Sequence, residues 1–154
     1  MRLWRIATRK WALDTMCEGA RLYGGRWNPV ALPVMYAGTT IEICALEKFV
    51  HLAGVPHPPL VLVAIDVPDE AALAWRPRLN ELPADWAALP APASTQEFGR
   101  VWIESARGLV LYVPSAIIPE SVNAVLNPRH PAYRDIRLEI VREFTFDARM
   151  FKSP

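Results

Sequence analysis

Apolar and polar positions change period several times along the chain, and each change marks an element. Leu3 to Ala7 reads as a short first strand, while residues 8–33 have too weak a period for anything but mostly irregular chain. Val34 to Ala37 reads as a short strand that ends at Gly38. Helical spacing follows. At about 100° per residue, Ile41, Ala45, Leu46, Phe49, Val50 and Leu52 share one arc, and Thr40, Cys44, Glu47, Lys48 and His51 share the other. Thr39 with Glu42 fits a capping box at the start of this helix, and Gly54 and Pro56 stop it after about Leu52.

The apolar run from Leu60 to Val67 has the pattern of a strand covered on both faces. Residues 68–93 are rich in proline and alanine, with a short helix expected near Pro83 to Ala88 and a linker within the domain at Pro90-Ala91-Pro92. Ser94 with Glu97 forms a second capping box, opening a helix that runs to about Ala106 and ends at Gly108. Leu109 to Val113 and Val122 to Leu126 read as strands, Asn127-Pro128 as a turn, and Leu138 to Phe146 as a long strand at a sheet edge. About six strands and two helices result, without regular strand–helix alternation. The fold class expected is therefore α+β with a mixed or antiparallel sheet, as a single domain over residues 1–154.

Composition narrows the function classes. A chain that is 52% hydrophobic and 21% charged folds as a compact globule. A net charge of +1 without charge runs gives no electrostatic case for direct nucleic-acid binding. Two isolated cysteines, Cys17 and Cys44, and three scattered histidines, His51, His57 and His130, make no metal-ligand pattern. Free thiols, the absence of a signal-peptide pattern after Met1 and the lack of a long apolar run point to a cytosolic protein with no membrane span.

The densest chemistry lies in Gly24-Gly25-Arg26-Trp27-Asn28-Pro29. Its two glycines allow close approach to the backbone, and the guanidinium matches a phosphate or carboxylate through paired hydrogen bonds. Tyr36 at a strand end, Glu47 in the helix and Ser115 after Pro114 complete a candidate pocket for an anionic, partly aromatic small molecule. Each has a plain structural alternative. Arg26 can be a solvated loop residue, Trp27 a core aromatic, Tyr36 a packing residue, Glu47 a polar-face glutamate near His51, and Ser115 and Asn127 turn residues. No G-x-S-x-G surrounds Ser115, so a serine hydrolase is the weakest reading.

Four segments in order, GGRWN at 24–28, VMYAG at 34–38, ALEKFVH at 45–51 and VPSAIIPESVNAVLNPRHP at 113–131, resemble the RES domain. Such domains occur as toxins of RES–Xre type II toxin–antitoxin modules in bacteria. The resemblance runs from LWRI at the start to the last strands and is weakest across 68–93. It departs from the common pattern after Asn28, where Val30 and Ala31 stand in place of a glycine. The resemblance implies a fold similar to ADP-ribosyltransferases and a toxin that consumes NAD by hydrolysis, phosphorolysis or ADP-ribosyl transfer to a protein. It implies catalytic roles for Arg26, Tyr36, Glu47 and Ser115. Gly25, Arg26, Trp27, Asn28, Tyr36, Ser115 and Asn127 are the positions expected to hold NAD, with no metal. It further implies an Xre-type helix-turn-helix antitoxin as partner, with DNA contact belonging to that partner, and a homodimer. The competing reading is a non-catalytic nucleotide-binding or interaction module.

Overall fold

The computed structural model of the chain describes residues 1–52, 54–69 and 73–151. Its strands are β1 (Arg2–Thr8), β2 (Met35–Gly38), β3 (Leu60–Asp66), β4 (Ala74–Trp75), β5 (Val110–Pro114), β6 (Val122–Leu126) and β7 (Arg137–Phe144). They form one seven-stranded sheet in the order β4-β5-β6-β2-β1-β3-β7. Neighbours are antiparallel except β4 and β5, which run parallel. Three α-helices accompany the sheet among the described residues: α1 (Glu18–Tyr23), α2 (Ile41–Leu52) and α3 (Ala93–Ser105). The α+β class with a mixed sheet is the one expected.

The sheet is nearly two sheets. β1 pairs with β3 along its whole length, from Arg2 opposite Asp66 to Thr8 opposite Leu60. With β2 it shares a single pair, Trp4 opposite Gly38. From Arg5 onward the two strands part, leaving a wing β4-β5-β6-β2 and a wing β1-β3-β7. Strand residues alternate between the two faces. On one face, Ile6, Leu60 and Leu62 pack under Ile43 and Cys44 of α2. Val34, Leu111, Val113 and Val125 pack under Trp102 and Ile103 of α3. The other face buries Leu3, Met35, Val61, Val63, Ile65, Ala124 and Leu126 beneath Ala12, Cys17 and Tyr133. β3, buried from Leu60 to Ile65, is the double-covered strand that its apolar run predicts.

Several local expectations shift for identifiable reasons. α2 starts at Ile41, and its cap is Thr40, whose Oγ1 accepts from Ile43 N at 3.3 Å. Thr39 instead donates to the carbonyl of Val122 at 2.9 Å, tying the helix entry to β6. Cys44, placed by spacing on the polar arc, is buried and donates to the carbonyl of Trp4 at 3.1 Å, whereas Val50 faces solvent. The second capping box does not form. α3 opens two residues earlier with Pro92 as cap, so Ser94 lies inside the helix and donates to Asp85 at 2.5 Å. The segment near Pro83 to Ala88 makes successive turns rather than a helix, through Trp86 N to the carbonyl of Pro83 and Ala88 N to that of Asp85. α1 interrupts the stretch expected to be irregular. It has six residues, too few to show a period, and the side chain of Asp14 caps it by accepting from Glu18 N at 2.9 Å. β4, two residues long, lies in the segment for which no strand is expected.

Candidate active site

A cleft of about 1140 Å³ opens where the two wings part. Arg5 to Thr8 of β1 line it, as do Met35 to Ala37 of β2, and α2 crosses above it with Cys44, Glu47, Lys48 and His51. Of the residues expected to act, Gly25, Arg26, Trp27, Tyr36 and Glu47 share this cleft.

Glu47 reaches from α2 over one wing to the turn of the other. Its Oε1 accepts from Ser115 Oγ at 2.8 Å and from Asn123 Nδ2 at 2.6 Å. Its Oε2 has no hydrogen-bond partner among the described residues. The helix supplies the position and the β5–β6 turn supplies the orientation. Ser115 is itself fixed, because its hydroxyl accepts from Ile117 N at 3.0 Å and Ile118 N at 3.3 Å while it donates to Glu47.

The Gly-Gly-Arg-Trp-Asn loop is clamped from below by Tyr36. The phenol donates to Asn28 Oδ1 at 2.7 Å and accepts from Trp27 N at 3.0 Å. Burial pushes its acidity well below that of an ordinary tyrosine, so it stays a neutral donor. A side chain at position 25 would put its Cβ 2.5 Å from this oxygen, so glycine is required for the loop to close on Tyr36. From the loop, Arg26 Nη1 donates to the carbonyls of Trp86 at 2.6 Å and Ala88 at 2.9 Å. Its Nε and Nη2 make no hydrogen bond to another described residue.

Three expected ligand contacts do not match their placement. Asn28 is 0% exposed, and its amide is spent on the carbonyls of Ala20 and Leu32 and on Tyr36. Asn127 is likewise fully buried, donating to the carbonyl of Ile103 and accepting from Arg129 N. Ser115 is 0% exposed, with its hydroxyl committed to Glu47 and the turn. These three hold the site's framework. Trp27 is mostly core, meeting Phe98 edge-on at 5.9 Å.

Residues missed from the sequence also line the cleft. Arg5 stands on β1 with a buried Nη1 that finds no partner among the described residues, and desolvation pulls its pKa down. Lys48 is depressed by burial first and by the charge of Arg5 second. An arginine between Trp4 and Ile6 in a mainly apolar strand was the available signal. Asn123, on a strand that reads as plain core, carried none. A smaller apolar cavity of about 640 Å³ between α3 and β4, lined by Trp75, Phe98 and Trp102, contains none of the expected site residues. Among the described residues, no group of three or more His, Cys, Asp and Glu is placed to hold a metal ion, and no helix is long and apolar enough to cross a membrane.

The parted sheet thus brings an oriented carboxylate, Glu47, and two arginines, Arg5 and Arg26, to one cleft. The chain belongs to the RES domain family, whose model matches residues 2–148. It is 40% identical over 156 residues to the Prs ADP-ribosylating toxin of Sphingobium sp. (strain YBL2), covering 97% of this chain and 96% of that protein. It is 33% identical to a protein named Toxin Res from Yersinia enterocolitica serotype O:8 / biotype 1B, covering 97% of this chain and 99% of the relative. Its fold is similar to that of a chain in the crystal structure of the M. tuberculosis MbcT–MbcA toxin–antitoxin complex. The TM-score is 0.68 at 21% identity, over 97% of this chain and 86% of that one.

Proposed function

We propose that this RES-domain protein is the toxin of a bacterial toxin–antitoxin pair and cleaves NAD at the nicotinamide–ribose bond. The observation that carries the reading is the shared cleft of Arg26, Tyr36 and Glu47, with the Glu47 carboxylate fixed through Oε1 and open at Oε2. The names of the relatives support the toxin assignment. Bond breakage expels neutral nicotinamide and leaves a ribose with oxocarbenium character, the kind of cation that carboxylates stabilise in glycoside cleavage. Glu47 supplies that negative charge from a position set before substrate arrives, which is where electrostatic catalysis is most effective. Ser115 and Asn123 orient it. Arg26 holds the diphosphate through its free nitrogens, and Arg5 with Lys48 adds positive charge to the same cleft. Tyr36 holds the Arg26 loop in register and offers its ring to the nicotinamide. With water as acceptor, the products are nicotinamide, ADP-ribose and one proton.

A second acceptor class is favoured by a specific feature. Trp11, Leu22, Tyr23, Val50 and Leu89 line the cleft yet are exposed, forming an apolar lip suited to a protein surface. That lip fits a protein to be ADP-ribosylated, in keeping with the name of the Sphingobium relative. It equally suits an antitoxin that covers the mouth, of the Xre helix-turn-helix type; a homodimer and a cytosolic location complete the reading. Mass spectrometry of the NAD reaction, with and without phosphate and with cell extract, separates the outcomes. Free or phosphorylated ADP-ribose marks a small acceptor, and a protein gaining ADP-ribose marks transfer. Intact NAD in every mixture would reject the enzyme and favour a non-catalytic module.

A further inference from the structure

Gln96 lies in the first turn of α3 and lines the cleft. Its Nε2 donates to the carbonyl of Gly25 at 3.1 Å. A carbonyl can only accept, so this bond fixes which way the amide faces. Oε1 is therefore turned away from Gly25, and it has no partner among the described residues. The same cleft is lined by Leu89, Pro90 and Ala91, an apolar segment directly after the carbonyls of Trp86 and Ala88 that tether Arg26. Leu89 is 84% exposed although it belongs to the cleft wall. A fixed hydrogen-bond acceptor and an uncovered apolar segment in one cleft, both tied to the Arg26 loop rather than to Glu47, suit a flat base bearing an amine.

We infer that Gln96 selects the adenine end of the dinucleotide, with Oε1 accepting from the exocyclic amine while the 89–91 segment covers the base. This rests on the NAD reading above. If Arg26 holds the diphosphate and Glu47 faces the nicotinamide ribose, the second base falls beyond Arg26, where these residues stand. Adenine offers an amine donor at its six-position, whereas hypoxanthine offers a carbonyl there. Against a fixed acceptor the carbonyl leaves two oxygens facing each other, so the analogue is rejected.

The test is calorimetric binding of NAD and of nicotinamide hypoxanthine dinucleotide to the full chain carrying Glu47→Gln, which slows turnover. The expected result is about tenfold tighter binding of NAD. Adding Gln96→Met brings the ratio close to one. Adding Gln96→Glu weakens both ligands, because the Gly25 carbonyl loses its donor, but keeps the preference for NAD because an acceptor remains. A purely structural Gln96 would weaken both ligands alike in either variant. Equal affinities in the Glu47→Gln protein, or an unchanged ratio after Gln96→Met, would overturn the inference while leaving NAD cleavage standing. If neither dinucleotide bound, the NAD reading would fall and take the inference with it.

Discussion

The two sides of the cleft differ in how complete they are. On the acidic side, Glu47 is tied by Ser115 and Asn123, and Ser115 is tied in turn by two backbone N–H groups. On the basic side, among the described residues Arg5 has a buried nitrogen without a partner and Arg26 uses only Nη1, and the pKa of Lys48 is lowered by burial and by Arg5. The carboxylate is oriented through one oxygen before any ligand arrives, whereas the cations are held less fully. Buried cations facing one another are unfavourable unless an anion completes them. On the proposed reading the acidic side acts and the basic side binds, and substitutions on the two sides should separate those quantities.

The largest expected effect is on the acidic side. Glu47→Gln keeps the size and the Ser115 contact but removes the charge. It should lower kcat by about a hundredfold or more while leaving NAD affinity within about threefold. A parallel loss of affinity would mean that the carboxylate serves binding.

On the basic side, Arg5→Met removes a guanidinium whose buried Nη1 has no partner among the described residues. NAD affinity should fall by up to about a hundredfold, the loss of a charge-assisted contact, while the melting temperature of the free protein holds or rises. A drop in melting temperature would show that Arg5 is satisfied without ligand. Arg26→Lys should weaken NAD binding by about tenfold, since an ammonium can keep the Trp86 and Ala88 carbonyls but cannot also fork onto a diphosphate. Unchanged affinity by calorimetry would remove Arg26 from the binding side.

The smallest effect sharpens the distinction between holding and touching. Ser115→Ala leaves Glu47 with Asn123 alone. It should cost less than about tenfold in kcat and little in KM, because the hydroxyl is buried behind the carboxylate. A dominant rise in KM would restore Ser115 as a ligand contact.

The elements that could be read from the sequence were those with an unambiguous period. β3 is apolar throughout its core, α2 has a helical stripe, and β7 alternates because one of its faces meets solvent. α1 and β4 are too short for any period: a local cap from Asp14 opens one, and pairing with β5 defines the other. The site was legible as residue types and order, not as contacts. Glu47 could be marked, but Asn123 lies 76 residues further on and becomes its partner only because α2 bridges the two wings. Asn28 and Asn127 share the chemistry of ligand-binding amides, and only burial distinguishes an amide that holds a loop from one that meets a substrate. Arg5 was hidden because the parting of β1 from β2, which exposes it to the cleft, is a property of strand pairing.

The most direct test of the central claim is chromatography of purified wild-type protein incubated with NAD. The account predicts free nicotinamide released in equal amount to the NAD consumed. A protein that binds NAD yet releases no nicotinamide, alone or with phosphate or cell extract, would contradict it.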